Sequence, residues 1–176
     1  MEIIKTKRLI LKPFTTGDTE FILELLNTEG WIKNIGDRNV KTTEEAKNYL
    51  KNGPLKSYEL NGFGLYLVQL NEGGTSIGMC GFVKRDYLDH PDIGFAFLPE
   101  YIGKGYAFEI ATRIIEYGLM ELEFEKIFAI TLPQNSSSVK LIERIGFTYD
   151  KNFITNDTNE ELSLYYITKE RNPADK

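Results

Sequence analysis

The residues with the clearest chemical potential are two glycines, Gly103 and Gly105, which separate a strand-like segment from a helix-like segment. Glycine has no Cβ, so it allows positive φ angles and a close approach of the backbone to a ligand. The helix that follows begins with unpaired N–H groups and with the positive end of its dipole. Such a helix start favours an anionic group, most often a phosphate. The spacing therefore predicts a phosphate-bearing ligand beside the end of a strand.

Two common phosphate-binding motifs do not fit these glycines. A dinucleotide-binding loop requires a third small residue at position 108, and that residue is Phe108. The loop also lies in the middle of the chain, whereas that motif belongs to a first βαβ unit. A Walker phosphate loop requires Ser or Thr after Gly-Lys, and Lys104 is followed by Gly105. A dinucleotide-binding module is therefore kept only as an alternative.

The single cysteine, Cys80, and the single histidine, His90, limit the other chemistry that the chain can perform. A zinc site built from Cys and His is excluded, and no metal is predicted. Cys80 lies inside a predicted strand, where a free cysteine is usually a buried, unreactive thiol. His90 precedes Pro91 in a predicted turn, which indicates a solvated surface residue.

The elements around the glycines follow from the hydrophobic pattern. Residues 92–97 suit a strand that is buried on both faces, and residues 107–122 repeat apolar side chains at helical spacing. A second strand over 126–132 precedes a helix that begins near Asn135 and ends at Gly146. Because a helix joins the two strands, we predict that they are parallel.

The first half of the chain predicts helices and an antiparallel hairpin. Thr42 and Glu45 form a capping-box pattern for a helix over 43–50, which Asn52-Gly-Pro54 is predicted to end. The preceding segment 29–38 is predicted to be a loop between two helices. Two strands then follow over 63–70 and 77–84, joined by a glycine-containing turn.

Three segments carry a resemblance to one family. Ile102-Gly-Lys-Gly-Tyr-Ala107 is similar to the pyrophosphate loop of the GNAT acetyltransferases, Gln/Arg-x-x-Gly-x-Gly/Ala, with Ile102 in place of Gln or Arg. Asn135-x-x-Ser138, with a helix and Gly146-Phe147 after it, resembles the second conserved segment of that family. Thr6–Pro13 is similar to the opening strand of the branch that includes the ribosomal-protein N-terminal acetyltransferases. The resemblance covers essentially the whole chain.

The resemblance implies a fold, an activity and a cofactor. The fold is one α/β domain over residues 1–170, a mixed, mostly antiparallel twisted sheet with helices on both faces, followed by a tail over 171–176. The activity is transfer of an acetyl group from acetyl-CoA to a primary amine by direct attack in a ternary complex. A non-catalytic CoA-binding regulatory domain of the same fold is the alternative. The residues implied to bind acetyl-CoA are Phe97, Leu98, Ile102, Gly103, Lys104, Gly105, Tyr106, Ala107, Asn135 and Ser138.

The resemblance also implies two catalytic residues. Asp92 begins the central strand, where family members often carry an acidic residue, and it is the implied general base. Its alternative role is that of a structural turn residue after Pro91. Many family members use a tyrosine as general acid, and that position is Ile142 here. Ser138 is implied to face the sulfur of CoA instead.

The acceptor site is implied to include Trp31, Asp37 and Arg38, because the loop between the first two helices lines that site in the resembling branch. In the alternative interpretation, Trp31 caps the core and Asp37–Arg38 is a solvated turn. The identity of the amine stays open among a protein N-terminus, an amino acid, a polyamine and an amino sugar.

Length and charge set the remaining expectations. A chain of 176 residues suits one domain, and its net charge of −5 argues against a general nucleic-acid binder. The sequence has no apolar run of the ~20 residues that span a bilayer, so no membrane partner is expected. A single cysteine suits a reducing compartment, and the predicted location is the cytoplasm. A homodimer is the default expectation for the oligomeric state.

Overall fold

The structure, a computed structural model, describes residues 3–155 and 159–169. The predicted tail over 171–176 lies outside these residues, and the domain limit at residue 170 stays a prediction. The described residues form one eight-stranded sheet in the order β1-β2-β3-β4-β5-β6-β8-β7. The strands are β1 (Ile4–Lys5), β2 (Leu9–Lys12), β3 (Leu65–Leu70), β4 (Ser76–Val83), β5 (Asp92–Phe97), β6 (Lys126–Thr131), β7 (Thr148–Ile154) and β8 (Glu161–Thr168).

Helices cover both faces of this sheet, as predicted. Side chains alternate along a strand, so neighbouring residues of β3 and β4 enter two different hydrophobic clusters. Val68 and Cys80 pack on the side of the helices over Tyr106–Met120 and Ser136–Ile145, whereas Leu67 and Met79 pack on the side of those over Thr19–Leu26 and Thr43–Leu50. The helices are α1 (Thr19–Leu26), α2 (Glu29–Asn34), α3 (Thr43–Leu50), α4 (Lys56–Asn61), α5 (Tyr106–Met120) and α6 (Ser136–Ile145).

The sheet is antiparallel except at its centre. The pair β5–β6 is parallel, which confirms the prediction made from the helix that connects the two strands. The other neighbouring strands pair in antiparallel registers. The mixed, mostly antiparallel sheet is therefore the one that the sequence predicted.

The first half of the chain departs from the prediction in two places. The predicted loop over 29–38 contains the short helix α2, which Thr28 caps by accepting a hydrogen bond from the Trp31 N–H. Pro54 does not end α3, because a π-helical turn over Lys51–Leu55 accommodates it and leads directly into α4. The ring of Pro54 is buried, and the helical path ends only at Gly62, which has a φ of +75°.

The single cysteine lies in the core. Cys80 is a free cysteine with no exposed surface, and burial raises the pKa of its thiol above the ordinary value. A neutral, inaccessible thiol does not act as a nucleophile, which confirms the structural role predicted for this residue. Within the described ranges, no helix is long and apolar enough to cross a membrane.

Candidate active site

The central feature of the site is a split between the parallel strands β5 and β6. Their register joins them at one pair, Asp92 and Phe128, and the Phe128 N–H donates to the Pro91 carbonyl over 2.9 Å. On their outer edges, β5 pairs along its whole length with β4, and β6 does the same with β8. The split therefore begins at Asp92 and opens toward the carboxyl ends of both strands, where no strand among the described residues pairs with their inner edges.

The backbone of Phe97 faces this split. The Leu98 N–H donates to the Ile77 carbonyl over 2.9 Å, so it points toward β4. Because N–H and C=O groups alternate sides along a strand, those of Phe97 point the other way. The Leu98 carbonyl accepts from the Tyr101 N–H, so the main-chain groups of Leu98 are already engaged. Of the two residues predicted to bind the cofactor here, Phe97 is the one with main-chain groups available.

The glycine loop, residues 102–107, lies at the open end of the split and begins five residues after the end of β5. Gly103 and Gly105 have φ angles of +77° and +80°, values that favour glycine. Gly105 is the N-cap of α5 and provides no side-chain cap, so the first N–H groups of this 15-residue helix keep their donors for a ligand. Ile102 is 61% exposed beside the loop. The structure thus has the loop conformation that a phosphate site requires.

One cation not predicted from the sequence also contacts the loop. Arg8 of the β1–β2 turn donates from Nη1 to the Lys104 carbonyl over 3.0 Å, and its guanidinium carbon lies 4.5 Å from the centre of the Tyr106 ring. The Lys104 ammonium lies 5.5 Å from the ring centre of Tyr101. The Thr6–Pro13 motif resembles an opening strand, and no local pattern around Arg8 indicates its contact with the loop.

A second helix start follows β6. Asn135 caps α6, since its Oδ1 accepts from the Ser138 N–H over 3.2 Å. Ser138 is half-buried in the first turn, and Ile142, one turn further on, is buried in the core. The Asn135 side chain therefore bonds nearby backbone, and the position of the tyrosine found in many family members is filled by a core residue.

The predicted general base, Asp92, lies at the closed end of the split. Its side chain is 1% exposed, and Oδ1 accepts a hydrogen bond from the Arg85 Nε over 2.8 Å. Burial raises the pKa of Asp92 to about 6, although the charge of Arg85 acts in the opposite direction. His90 is half-buried nearby and not fully solvated, with its ring 5.7 Å from that of Phe128. Asp92 is thus a strand residue in an ion pair, not an exposed turn residue.

Asp92 and Ser138 occupy different parts of the split. From Asp92 to Phe97 the strand extends for ~17 Å at about 3.3 Å per residue, so the glycine loop is well separated from the carboxylate. Ser138 follows the carboxyl end of β6, whereas Asp92 lies beside Phe128 near its start. The two predicted catalytic residues therefore lie toward opposite ends of β6.

The three predicted acceptor residues have different environments, one in the core and two at the surface. Trp31 is 5% exposed and packs in the cluster with α1 and α3; its indole N–H is buried without a hydrogen-bond partner among the described residues. Asp37 is exposed and forms an ion pair with Lys41 over 3.2 Å. A hydrogen bond from the Asn39 N–H lowers the pKa of Asp37, and the hydrogen bond from Lys41 lowers it further. Arg38 is exposed too. This arrangement corresponds to the alternative interpretation, with a core tryptophan and a solvated turn.

Other residues of α2 do lie beside α6. A recess of about 260 Å³ separates the two elements, and the polar residues Lys33 and Asn34 line it opposite Gln134 and Asn135. Lys33 and Asn34 were not predicted as site residues, because segment 29–38 was expected to be a loop. The helical spacing that directs Trp31 into the core directs Lys33, two positions later, toward the opposite face of α2. Within the described ranges, no group of acidic, histidine or cysteine side chains could hold a metal ion.

Comparison with known proteins identifies the class that this fold and split define. Residues 8–148 match the acetyltransferase (GNAT) domain. The uncharacterized N-acetyltransferase YnaD of Bacillus subtilis is 32% identical over 143 residues, 81% of each chain. The spermidine N(1)-acetyltransferase of Vibrio cholerae is 24% identical over 170 residues, which are 93% of this chain and 95% of that one.

Solved structures show the same fold. An acetyltransferase (GNAT family) from Bacillus anthracis superimposes with a TM-score of 0.80 and 28% identity, over 97% of this chain and 99% of that one. RimL, a ribosomal L7/L12 alpha-N-protein acetyltransferase in complex with coenzyme A, superimposes with a TM-score of 0.83 and 13% identity, over 96% and 98% of the two chains. The chain therefore belongs to the GNAT acetyltransferase family. It is an acyltransferase, and acetyl transfer is the general activity of this family.

Proposed function

We propose that the chain transfers an acetyl group from acetyl-CoA to a primary amine by direct attack in a ternary complex, with the split between β5 and β6 as the active site. The observation that carries the proposal is the single register pair between these strands, which leaves two strand edges and two helix starts around one opening. Much of the rate enhancement is positional, because groups held in line reach effective molarities of about 10⁵ M or more.

The residues that border the split fit acetyl-CoA. The N–H groups of residues 103–107 supply donors for the pyrophosphate, since both glycines hold the required φ and α5 has no side-chain cap. The main-chain groups of Phe97 offer an edge to the extended arm of the cofactor. When bound, acetyl-CoA supplies the acetyl group as a thioester. Asn135 contributes by fixing the start of α6 beside the split.

Asp92 takes the proton of the attacking amine in this proposal. An amine of the lysine type has a pKa near 10.4, so most of it must lose a proton before it attacks at neutral pH. A general base works best with a pKa close to the operating pH. Burial raises the pKa of Asp92 to about 6, which brings it near that optimum while Arg85 keeps the ionised form accessible. The carboxylate acts directly or through one water.

Ser138 assists departure of the sulfur. A thiol with a pKa near 8.5 leaves as a thiolate with modest help, and a hydroxyl donor is sufficient for that. Ser138 is the half-buried hydroxyl in the first turn of α6, where the helix dipole also favours negative charge. Position 142 is occupied by an isoleucine buried in the core, so no tyrosine acts as the general acid there.

Acetyl-CoA binding is the first test, measured by calorimetric titration with acetyl-CoA and, separately, with NAD. Gly105→Glu introduces a side chain and a negative charge at a residue with φ +80° in the proposed phosphate site. Gly62→Glu is a matched control, because Gly62 has a similar φ of +75° and an added Cβ would meet no atom within 4 Å there. We expect binding of acetyl-CoA but not NAD by the unmodified chain and the control, and its loss in Gly105→Glu.

Turnover separates an enzyme from a non-catalytic CoA-binding domain. The release of free CoA thiol would be followed with a peptide N-terminus, an amino acid, a polyamine and an amino sugar as acceptors. Acetylation of one of these amines supports the proposal and names the acceptor class. Binding of acetyl-CoA without turnover on any of them favours the regulatory alternative, and absence of acetyl-CoA binding overturns the proposal.

A further inference from the structure

A carboxylate in the first turn of α5, next to the glycine loop, binds the turn between β1 and β2. Glu109 Oε1 accepts from the Thr6 hydroxyl over 2.6 Å and from the Arg8 N–H over 2.9 Å, and Oε2 accepts from the Arg8 Nε over 2.6 Å. Although partial burial opposes ionisation, the bonds from Thr6 and Arg8 lower the pKa of Glu109 below its ordinary value. Glu109 is therefore an ionised, fully engaged group within one turn of the loop.

Arg8 extends this network into the loop itself. While Nε is bound by Glu109, Nη1 donates to the Lys104 carbonyl over 3.0 Å. The guanidinium lies over the Tyr106 ring, and Nη2 would lie 3.4 Å from a Cβ added at Gly105. One planar side chain thus contacts Lys104 and Tyr106 and lies beside Gly105 between them. The fork of fixed donors explains why an arginine suits this position and a lysine does not.

The turn that carries Arg8 is itself anchored. The Asn71 N–H donates to the Arg8 carbonyl over 2.9 Å, and the Asn71 amide donates to the carbonyls of Thr6 and Lys7 over 2.8 and 3.0 Å. Asn71 directly follows β3, so the β1–β2 turn is attached to the sheet. Arg8 therefore contacts the glycine loop from a support whose backbone and side chain are both fixed.

We propose that Arg8, oriented by Glu109, is a positioning residue that holds the glycine loop in its acetyl-CoA-binding conformation. This inference rests on the proposed function of the loop. Glycines lose more conformational freedom on ordering than other residues, and a loop that is ordered in advance avoids that entropy at the moment of binding. The Thr6–Arg8–Glu109 network performs this ordering through contacts that are distant in sequence.

In the alternative interpretation, Arg8 is only a nearby positive charge for the phosphates. The two interpretations predict opposite effects of Glu109→Gln on the affinity for acetyl-CoA. A negative charge next to a phosphate site weakens binding by repulsion, so removal of that charge in Glu109→Gln would strengthen binding if simple electrostatics dominated. If Glu109 acts by orienting Arg8, the same substitution weakens binding.

The test measures the dissociation constant for acetyl-CoA by calorimetry in Arg8→Ala, Arg8→Lys, Glu109→Gln and Thr6→Val. We expect at least about a tenfold increase in the first three, the effect of losing a hydrogen bond to a charged group. A smaller increase is expected in Thr6→Val, which keeps both charges. At saturating acetyl-CoA, kcat stays near that of the unmodified chain. The control is Arg113→Gln, since Arg113 on the same helix pairs with Glu116 and Glu121 and is exposed to a similar extent as Arg8.

Thermal unfolding accompanies each titration. Equal or tighter binding of acetyl-CoA by Glu109→Gln overturns the inference, as does normal affinity in Arg8→Lys. If Glu109→Gln does not fold, the acetyl-CoA affinities of Arg8→Lys and Thr6→Val test the inference in its place. Weaker binding supports the inference, and normal affinity overturns it. Failure of the proposed function is distinguishable from failure of this inference, because the unmodified chain would then bind no acetyl-CoA.

Discussion

Replacement of Arg85 by glutamine should raise the pKa of Asp92, because it removes the charge that offsets burial. The carboxyl is 1% exposed and its Oδ1 lies 2.8 Å from the Arg85 Nε. Burial raises the pKa from 3.8 to about 6 with that partner in place. A neighbouring opposite charge typically lowers a carboxyl pKa by about 1 to 3, so we expect roughly 7 or above in Arg85→Gln.

Two measurements follow this change. A ¹³C NMR titration of the Asp92 carboxyl reports the pKa directly and needs no acceptor. The pH dependence of kcat at saturating acetyl-CoA and amine reports the same group if Asp92 is the base, so its acidic limb should have a midpoint near 6 and should move upward in Arg85→Gln. Asp92→Asn should remove that limb. Arg113→Gln, which alters an exposed ion pair, should leave both midpoints unchanged.

The sign of the stability effect follows from the same linkage. A folded-state pKa raised above the unfolded value means that the protonated carboxyl favours the folded chain, and this contribution is lost as the pH rises through about 6. The difference between about 6 and 3.8 corresponds to about 3 kcal/mol in the free energy of unfolding. Asp92→Asn should flatten this part of the stability curve. An unchanged Asp92 midpoint in Arg85→Gln would refute the electrostatic reasoning, and a persistent acidic limb in Asp92→Asn would show that another group is the base.

Two further predictions concern other parts of the chain. Ser138→Ala should lower kcat about tenfold or more while the KM for acetyl-CoA changes little, because a donor to the leaving sulfur acts mainly in the transition state; an equal rise in KM instead would indicate a binding role. Gly118→Ala should lower the free energy of unfolding by about 1–3 kcal/mol in chemical denaturation, since overpacking outweighs the gain in helix propensity. The added Cβ would lie 2.5 Å from the Phe82 ring and 3.0 Å from the Ile127 side chain. A stabilised variant would show that these side chains can move to make room for the methyl group.

The parts of the site that depend on local backbone conformation were predictable from the sequence. Two glycines between a strand and a helix require no knowledge of distant residues, and both have the positive φ that this position demands. The same holds for Asn135, whose cap hydrogen bond joins residues three positions apart. The parallel pairing of β5 and β6 followed from the helix between them.

The acceptor residues were not predictable in the same way, because burial of a side chain depends on which elements pack together. A tryptophan is compatible with either a loop or the core, and the formation of α2 places Trp31 in the core. Pro54 ends most helices, yet a buried ring in a π-helical turn kept α3 and α4 continuous. In both places tertiary packing prevailed over the local rule.

The contacts among the charged residues of the site were the hardest to predict from the sequence. Arg8 and Glu109 are separated by 101 positions in the chain, and nothing near either residue in the sequence points to the other. Asp92 follows a proline after a polar segment, which is also the pattern of an exposed turn. What makes it a buried acid is the sheet order, since β5 lies between β4 and β6 and its first residue pairs on both sides. The chemistry proposed for Asp92 therefore arises from its place in the sheet, because the same carboxyl at an edge strand would keep an ordinary pKa.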